Sequence, residues 1–225
     1  MSAKTLMPLS FSRLSTFESC PQKFDYLYLS KTVKDSDNEF TLYGTRVHEA
    51  LEKYGKAGGE APEAPLQDDV KKFTPLVDRI LRQTGTHHFE YQLAINADKQ
   101  PCDWFAGDVW IRGIADVLVV DGVRAWCIDW KTGKPKPNPT QLQLFAALIF
   151  IHFPEVQEIR TSFVWLNHDD TTNSTFTKAM APHLWLALEP RFRRVQDTVD
   201  LGVFQTKPSG LCRYCAARSI CSDAR

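Results

Sequence analysis

Apolar residues alternate with more polar ones at Phe89, Tyr91, Leu93 and Ile95, the period of a half-buried strand. Three further strands are expected at roughly 105–112, 114–120 and 123–130. Asp121-Gly122, between the last two, is a strong hairpin signal. Elsewhere the period is helical. Ser12 is placed to cap a first helix carrying Leu14 and Phe17, and Pro21 to open the next, with Phe24, Leu27 and Tyr28 as its stripe. Leu42 to Tyr54 sets Tyr43, Val47, Leu51 and Tyr54 on one face. Val70 to Leu81 reads as another helix, with Pro75 near its start. Leu142 to Phe153 is apolar all round, as in a buried helix, and Leu184 to Val199 is a long one. Ile159 to Leu166 alternates like a strand, with Thr172 to Thr177 as its edge partner. Residues 31–39, 55–65 and 134–139 read as loops, the last two rich in Pro or Gly. This order predicts an α/β fold, a mixed sheet covered by helices on both faces.

The chain has 225 residues, 43% of them hydrophobic, which suits one domain with a real core. We expect a single domain: an N-terminal helical segment over 1–40, a core over 41–200 and a cysteine-bearing tail over 201–225. The formal net charge is zero, so composition supplies no bulk attraction to nucleic acid. Lys131, Lys134 and Lys136 form one basic patch, and Arg191, Arg193 and Arg194 another; on charge alone each reads as solvated surface. No apolar run reaches the ~20 residues that cross a membrane. The N-terminus lacks a basic-then-apolar signal pattern, so a cytoplasmic setting with reduced thiols is expected.

The densest chemistry lies in Gly113-Ile114-Ala115-Asp116 and Ile128-Asp129-Trp130-Lys131-Thr132-Gly133. In a strand, residues two apart share a face, so Asp129 and Lys131 project together with Trp130 on the other side. The hairpin can return Asp116 beside them. Two carboxylates and an ammonium at one sheet end suit a divalent metal, since magnesium needs only one or two carboxylates besides substrate oxygens and water. An ordinary surface Asp–Lys pair is the plain alternative, but Ile128 and Trp130 mark a buried strand, where charges need partners. His48 lies beside the apolar stripe of its helix, where a lone histidine is more often structural than a ligand. Gln141 and Gln143 open the apolar helix and can reach back to the sheet end. Glu90 is either a further acid of that site or the outward position of a half-exposed strand.

Six cysteines in a reduced compartment need another account than disulfides. Cys212, Cys215 and Cys221 crowd the tail as C-x2-C-x5-C, which points to a metal. Zinc or an iron–sulfur cluster would want a fourth thiolate from Cys20, Cys102 or Cys127. Cys127 shares strand parity with Asp129 and suits a small core position; Cys20 would tie the two chain ends together.

Six short motifs in order resemble the RecB-like branch of the PD-(D/E)xK nuclease superfamily, close to the CRISPR-associated exonucleases with an iron–sulfur cluster. They run from S-F-S-R-L-S-T-F-E-S-C-P (Ser10 to Pro21) through G-T-R-V-H (Gly44 to His48), G-I-A-D, I-D-W-K-T-G and Q-L-Q-L-F to G-L-C-R-Y-C-A-A-R-S-I-C. The resemblance implies a restriction-endonuclease-like core with a C-terminal iron–sulfur segment clasped to the N-terminus. It implies His48, Asp116, Asp129 and the Trp130 carbonyl as ligands of Mg²⁺ or Mn²⁺, Lys131 as the catalytic lysine and Gln141 as a catalytic-motif glutamine. Glu90 resembles a family acid less closely. Phe145 replaces that motif's tyrosine. Cys20, Cys212, Cys215 and Cys221 match the ligands of a structural 4Fe–4S cluster. The implied activity is metal-dependent DNA exonuclease cleavage from ends, favouring single strands, in processing, recombination or repair, with bases stacked on aromatics such as Trp104 or Tyr214. A catalytically silent DNA-binding adaptor of the same fold and a zinc-binding structural protein are the alternatives.

Overall fold

The computed structural model describes residues 7–35, 38–60, 66–136 and 138–224, and the chain divides into two compact units. One is Met1–Pro8 with Asn38–Trp185; the other joins Leu9–Asp37 to Leu186–Arg225.

The first unit is built on a five-stranded mixed sheet in the order β1 (Thr86–Asn96), β2 (Val109–Asp121), β3 (Arg124–Lys131), β4 (Glu158–Trp165) and β5 (Asp170–Thr177). Neighbours are antiparallel except β3 and β4, which run parallel. That parallel step needs a crossover, and α6 (Pro139–His152) supplies it. The segments expected at 105–112 and 114–120 are one strand. Gly113 pairs with Leu93 inside the β1–β2 ladder, and the preceding turn ends at Asp108. The hairpin at Asp121 is as expected: Asp121 pairs with Arg124 across Gly122-Val123, and Gly122 takes a φ of 56° that a turn glycine accepts without cost.

α3 (Glu39–Lys56) is capped by Asn38, whose side chain accepts the Thr41 N–H at 3.0 Å. Its stripe Val47, Leu51 and Gly55 is buried. Gly55 is required, because a Cβ there would lie 2.2 Å from the Phe89 ring. α4 (Asp68–Lys71) and α5 (Thr74–Leu81) split the helix expected over 70–81, with Pro75 in the first turn of α5. Val70, Val77 and Ile80 join Val47, Leu51, Phe89, Val117, Ile128 and Trp130 in one core. Truncating a fully buried member such as Leu51 to alanine costs about 2–5 kcal/mol. Ile128 and Trp130 enter this core, whereas the alternate residue Asp129 receives Gln141 of α6, so helices flank both faces of β3. α6 is buried from Leu144 to Phe150, as its apolar character on all sides requires.

In the second unit α1 (Phe11–Ser19) is capped by Ser10, not Ser12: the Ser10 hydroxyl accepts the Arg13 N–H at 3.3 Å, and Ser12 falls inside the first turn. α2 (Pro21–Phe24) continues into a π-helical turn, Asp25–Leu29. α7 (Ala181–Leu201) carries the chain from the first unit into the second. Within the second unit Arg191 forks onto Glu18 with two contacts of 2.7 Å, and Lys207 Nζ donates to the Glu18 carbonyl at 2.7 Å. Phe17 and Phe24 meet edge to face at 5.6 Å. N- and C-terminal segments thus belong to one compact unit. Among the described residues no helix is long and apolar enough to cross a membrane.

Candidate active site

Three acids stand in a row across β1, β2 and β3. The pairs Phe89–Val117 and Tyr91–Ala115 bracket Glu90 opposite Asp116, and the last β2–β3 pair, Val117–Ile128, leaves Asp116 and Asp129 as the next position on each strand. Each acid ends up here for a local reason. Glu90 interrupts the β1–β2 ladder with a φ of 53°, a left-handed conformation that costs a non-glycine residue about 1–2 kcal/mol. Asp116 sits where β2 and β3 part, and its Oδ2 accepts the Trp130 backbone N–H at 2.6 Å. Asp129 occupies β3, 5% exposed.

Cations and donors surround the row. His48 of α3 places Nδ1 3.3 Å from Asp116 Oδ1. Gln141, in the first turn of α6 behind its Asn138 cap, donates Nε2 to Asp129 Oδ1 at 2.7 Å. Lys131 Nζ lies 2.5 Å from the buried Asp129 Oδ2 in a close ion pair. Carboxylates crowded here resist ionising together. Burial, Asp116 and Glu52 push Glu90 up to about 7, against His48 and Lys56. Burial and Asp116 raise Asp129, against Lys131. Burial disfavours charged His48, but its hydrogen bond to Asp116 and the three acids prevail and raise it.

The donor set fits a divalent cation. One ligand atom each of His48, Glu90 and Asp116 lies within 4.8 Å of the others. A hard cation with bonds of about 2.1 Å would draw such atoms to about 3 Å apart, a small closure. The buried Asp129 Oδ2 and the raised carboxylates are the features such a charge would relieve. The residues expected from the sequence are therefore brought together: His48, Asp116, Asp129, Lys131 and Gln141, with Glu90 nearer to His48 and Asp116 than its weak signal suggested. Trp130 presents its N–H to Asp116 and buries its ring in the core. Cys127 is buried beneath the acids, and burial raises its thiol. Phe145, where a tyrosine was the expected pattern, is buried in α6.

Four of the other cysteines fall in the second unit. Cys20, Cys212, Cys215 and Cys221 all line one cavity of about 230 Å³, with Lys23, Lys207 and Tyr26 on its wall. Cys102 belongs to the first unit, beside the half-buried Trp104, whose ring Arg112 covers at 4.6 Å. Tyr214 is 75% exposed.

Three acids, a histidine and a lysine thus meet on and beside neighbouring strands of one mixed sheet. The model of the PD-(D/E)XK nuclease superfamily matches residues 8–222, and the chain belongs to that superfamily. Among solved structures it is similar to a "Putative exonuclease" from Eubacterium rectale, at 12% identity and a TM-score of 0.57, covering 92% of this chain and 87% of that one. The crystal structure of SSO0001 is matched at 14% identity and a TM-score of 0.47, over 100% of this chain and 89% of that one. No curated protein matches it.

Proposed function

We propose that the protein is a Mg²⁺- or Mn²⁺-dependent deoxyribonuclease that degrades DNA from free ends, favouring single strands, in processing, recombination or repair in the cytoplasm. The row Glu90–Asp116–Asp129 with Lys131 against Asp129 carries the reading. An isolated structural ion pair has no use for three buried or half-buried acids sharing too few cations. Likeness in fold to a structure described as an exonuclease supports attack from ends.

His48, Asp116 and Glu90 or Asp129 would hold the cation, with the Trp130 carbonyl as a further ligand. When bound, the cation supplies Lewis-acid polarisation and a water of lowered pKa. The protein's own groups do the rest. Trp130 N–H fixes Asp116 Oδ2, and His48 fixes Oδ1, so this carboxylate cannot rotate. Gln141 holds Asp129 in the same way. Lys131, half-buried at the end of β3 and paired with Asp129, is placed to orient the attacking water and to offset the negative charge that builds on the phosphate. Catalysis of this kind is positioning plus charge stabilisation.

The four thiols around one cavity fit the resemblance to clustered nucleases, and Cys20, Cys212, Cys215 and Cys221 would bind a structural 4Fe–4S cluster. DNA is then the partner and the cluster a clasp for the chain ends.

The decisive experiment uses end-labelled single- and double-stranded DNA with Mg²⁺ or Mn²⁺. The parent is expected to shorten labelled strands, and Asp116→Ala and Asp129→Ala to abolish this while remaining folded. Near-parental cleavage by either variant rejects the assignment.

A further inference from the structure

A groove of about 1080 Å³ opens in the first unit, lined by segments that adjoin His48 and Lys131 along the chain. Its walls are continuous with the catalytic elements. One wall is the N-terminal part of α3, with Phe40, Tyr43 and Arg46, ending one residue pair before His48. The other is Thr132-Gly133-Lys134, the three residues after Lys131. Asn167 ties the walls together: its Oδ1 accepts the Tyr43 hydroxyl at 3.2 Å and its Nδ2 donates to the Thr132 carbonyl at 2.9 Å. Any strand whose phosphate lies beside Lys131 must continue along one side or the other, and this side offers a path with stacking surface and cations.

The chemistry of that path is specific. Phe40 is 83% exposed and no described ring contact covers it. An exposed ring beside a phosphate-cleaving site meets base faces, and base faces are open only where a strand is unpaired. The Arg46 guanidinium lies over the Tyr43 ring at 5.5 Å and is paired with Asp69 across the groove. Both members of that ion pair are more than 40% exposed, so the pair is weak and a phosphate can compete for it.

We propose that this groove binds the unpaired strand of the substrate, with Phe40 stacking a base, Arg46 and Lys134 holding phosphates, and Asp69 acting as an internal competitor that a phosphate displaces from Arg46. The assignment rests on the nuclease reading for the bond that is cut, but it concerns binding and is measured separately. Phe40, Arg46 and Asp69 are specificity residues, since they touch neither the acids nor Lys131.

The test measures anisotropy of a fluorescein-labelled dT12 strand and of a labelled duplex of equal length, with Ca²⁺ in place of the catalytic cation. Phe40→Ala should weaken dT12 binding about tenfold and leave duplex binding within about twofold. Arg46→Ala should weaken dT12 binding and lower the slope of log Kd against log salt by about 0.7, the value of one phosphate contact on a single strand. Asp69→Asn should tighten dT12 binding. Equal losses on strand and duplex, or unchanged dT12 binding with Phe40→Ala, overturn the groove; an Asp69→Asn variant that binds no more tightly overturns the competitor. Cleavage of thymidine 5′-(p-nitrophenyl phosphate) by the parent reads the cutting site apart from strand binding. If the parent cleaves neither this ester nor DNA, the nuclease reading fails while the anisotropy arms still decide the groove.

Discussion

Glu90 stands opposite Asp116 in the β1–β2 register, and it does so in a left-handed conformation, φ 53°, that breaks the ladder at that pair. Two strained features coincide: like charges directly across a sheet, and a long side chain where glycine is the comfortable residue. Without a cation, both should lower stability. Glu90→Gln removes the charge, and Glu90→Gly removes the charge and the backbone strain. In EDTA at pH 8, urea unfolding should find Glu90→Gln more stable than the parent and Glu90→Gly more stable again, by about 1 kcal/mol. Both should bind Mn²⁺ about tenfold more weakly or worse by calorimetry. Variants no more stable than the parent would show that the pair is already relaxed; unchanged Mn²⁺ binding would remove Glu90 from the site.

Lys131 and Gln141 engage different oxygens of Asp129, and their substitutions should separate in kinetics. Lys131→Ala should lower kcat by at least about 10²-fold without weakening metal binding, because Lys131 competes with a cation for Asp129. Gln141→Ala frees one oxygen and should cost about 10–100-fold, largely as a higher metal requirement. Gln141→Glu sets a carboxylate where an amide donates at 2.7 Å and should be worse than Gln141→Ala. Metal titrations of the cleavage rate read the difference, and a Glu variant as active as the Ala variant would mean that Gln141 fills space only.

His88 and His152 should give the fold an acid-sensitive edge away from the acids. Burial lowers both; for His88 the neighbouring His87 adds to it, and for His152 a backbone hydrogen bond to Ala94 at 3.0 Å opposes it. A folded-state value below the unfolded value near 6.5 means that the unfolded chain takes up more protons in the window below it. Their contribution is therefore full above about pH 6.5 and is lost as pH falls through the lowered values. Glu90, raised to about 7, slopes the opposite way, so the readout is the difference between variant and parent. The pair of substitutions His88→Gln and His152→Gln should flatten the fall in urea midpoint between pH 7 and 5. An unchanged slope would place that acid sensitivity in other groups.

What could be read from the sequence divides by distance along the chain. Asp129 and Lys131 were placed together by the period of two, and Asp116 by the Asp121-Gly122 turn, because both rules are local. Helix positions were close for the same reason, while Ser10 displaced Ser12 as a cap because both are good capping residues only two positions apart. His48 was distinguished from a structural histidine only by the resemblance, since its partner lies 68 positions away, at Asp116. Glu90 was undervalued because nothing local announces a left-handed residue in an alternating strand. Asn167 gave no signal at all: its brace between Tyr43 and Thr132 exists only once α3 and β3 are assembled.

The four thiols of the second unit offer the sharpest test of the remaining proposal. Cys20 lies between α1 and α2, and Cys212, Cys215 and Cys221 follow α7, so a metal on all four closes a loop of nearly the whole chain. The walls of the cavity already bring the segments together through Gln22 N–H to the Gln205 carbonyl at 3.1 Å and Lys207 to Glu18. The cluster should therefore add to an existing contact rather than create it. Protein prepared without oxygen should be brown, with about four irons per chain, as expected for a cysteine-ligated 4Fe–4S centre. Cys20→Ala and Cys221→Ala should each bleach it, lower Tm and speed proteolysis of the tail, because metal-binding free energy is folding free energy at such a site. Cys102→Ala and Cys127→Ala should keep the colour. A colourless protein holding one zinc would show that the thiols form a tetrahedral site. Colour retained in Cys20→Ala would show that the N-terminal segment is held by its hydrogen bonds and apolar core alone.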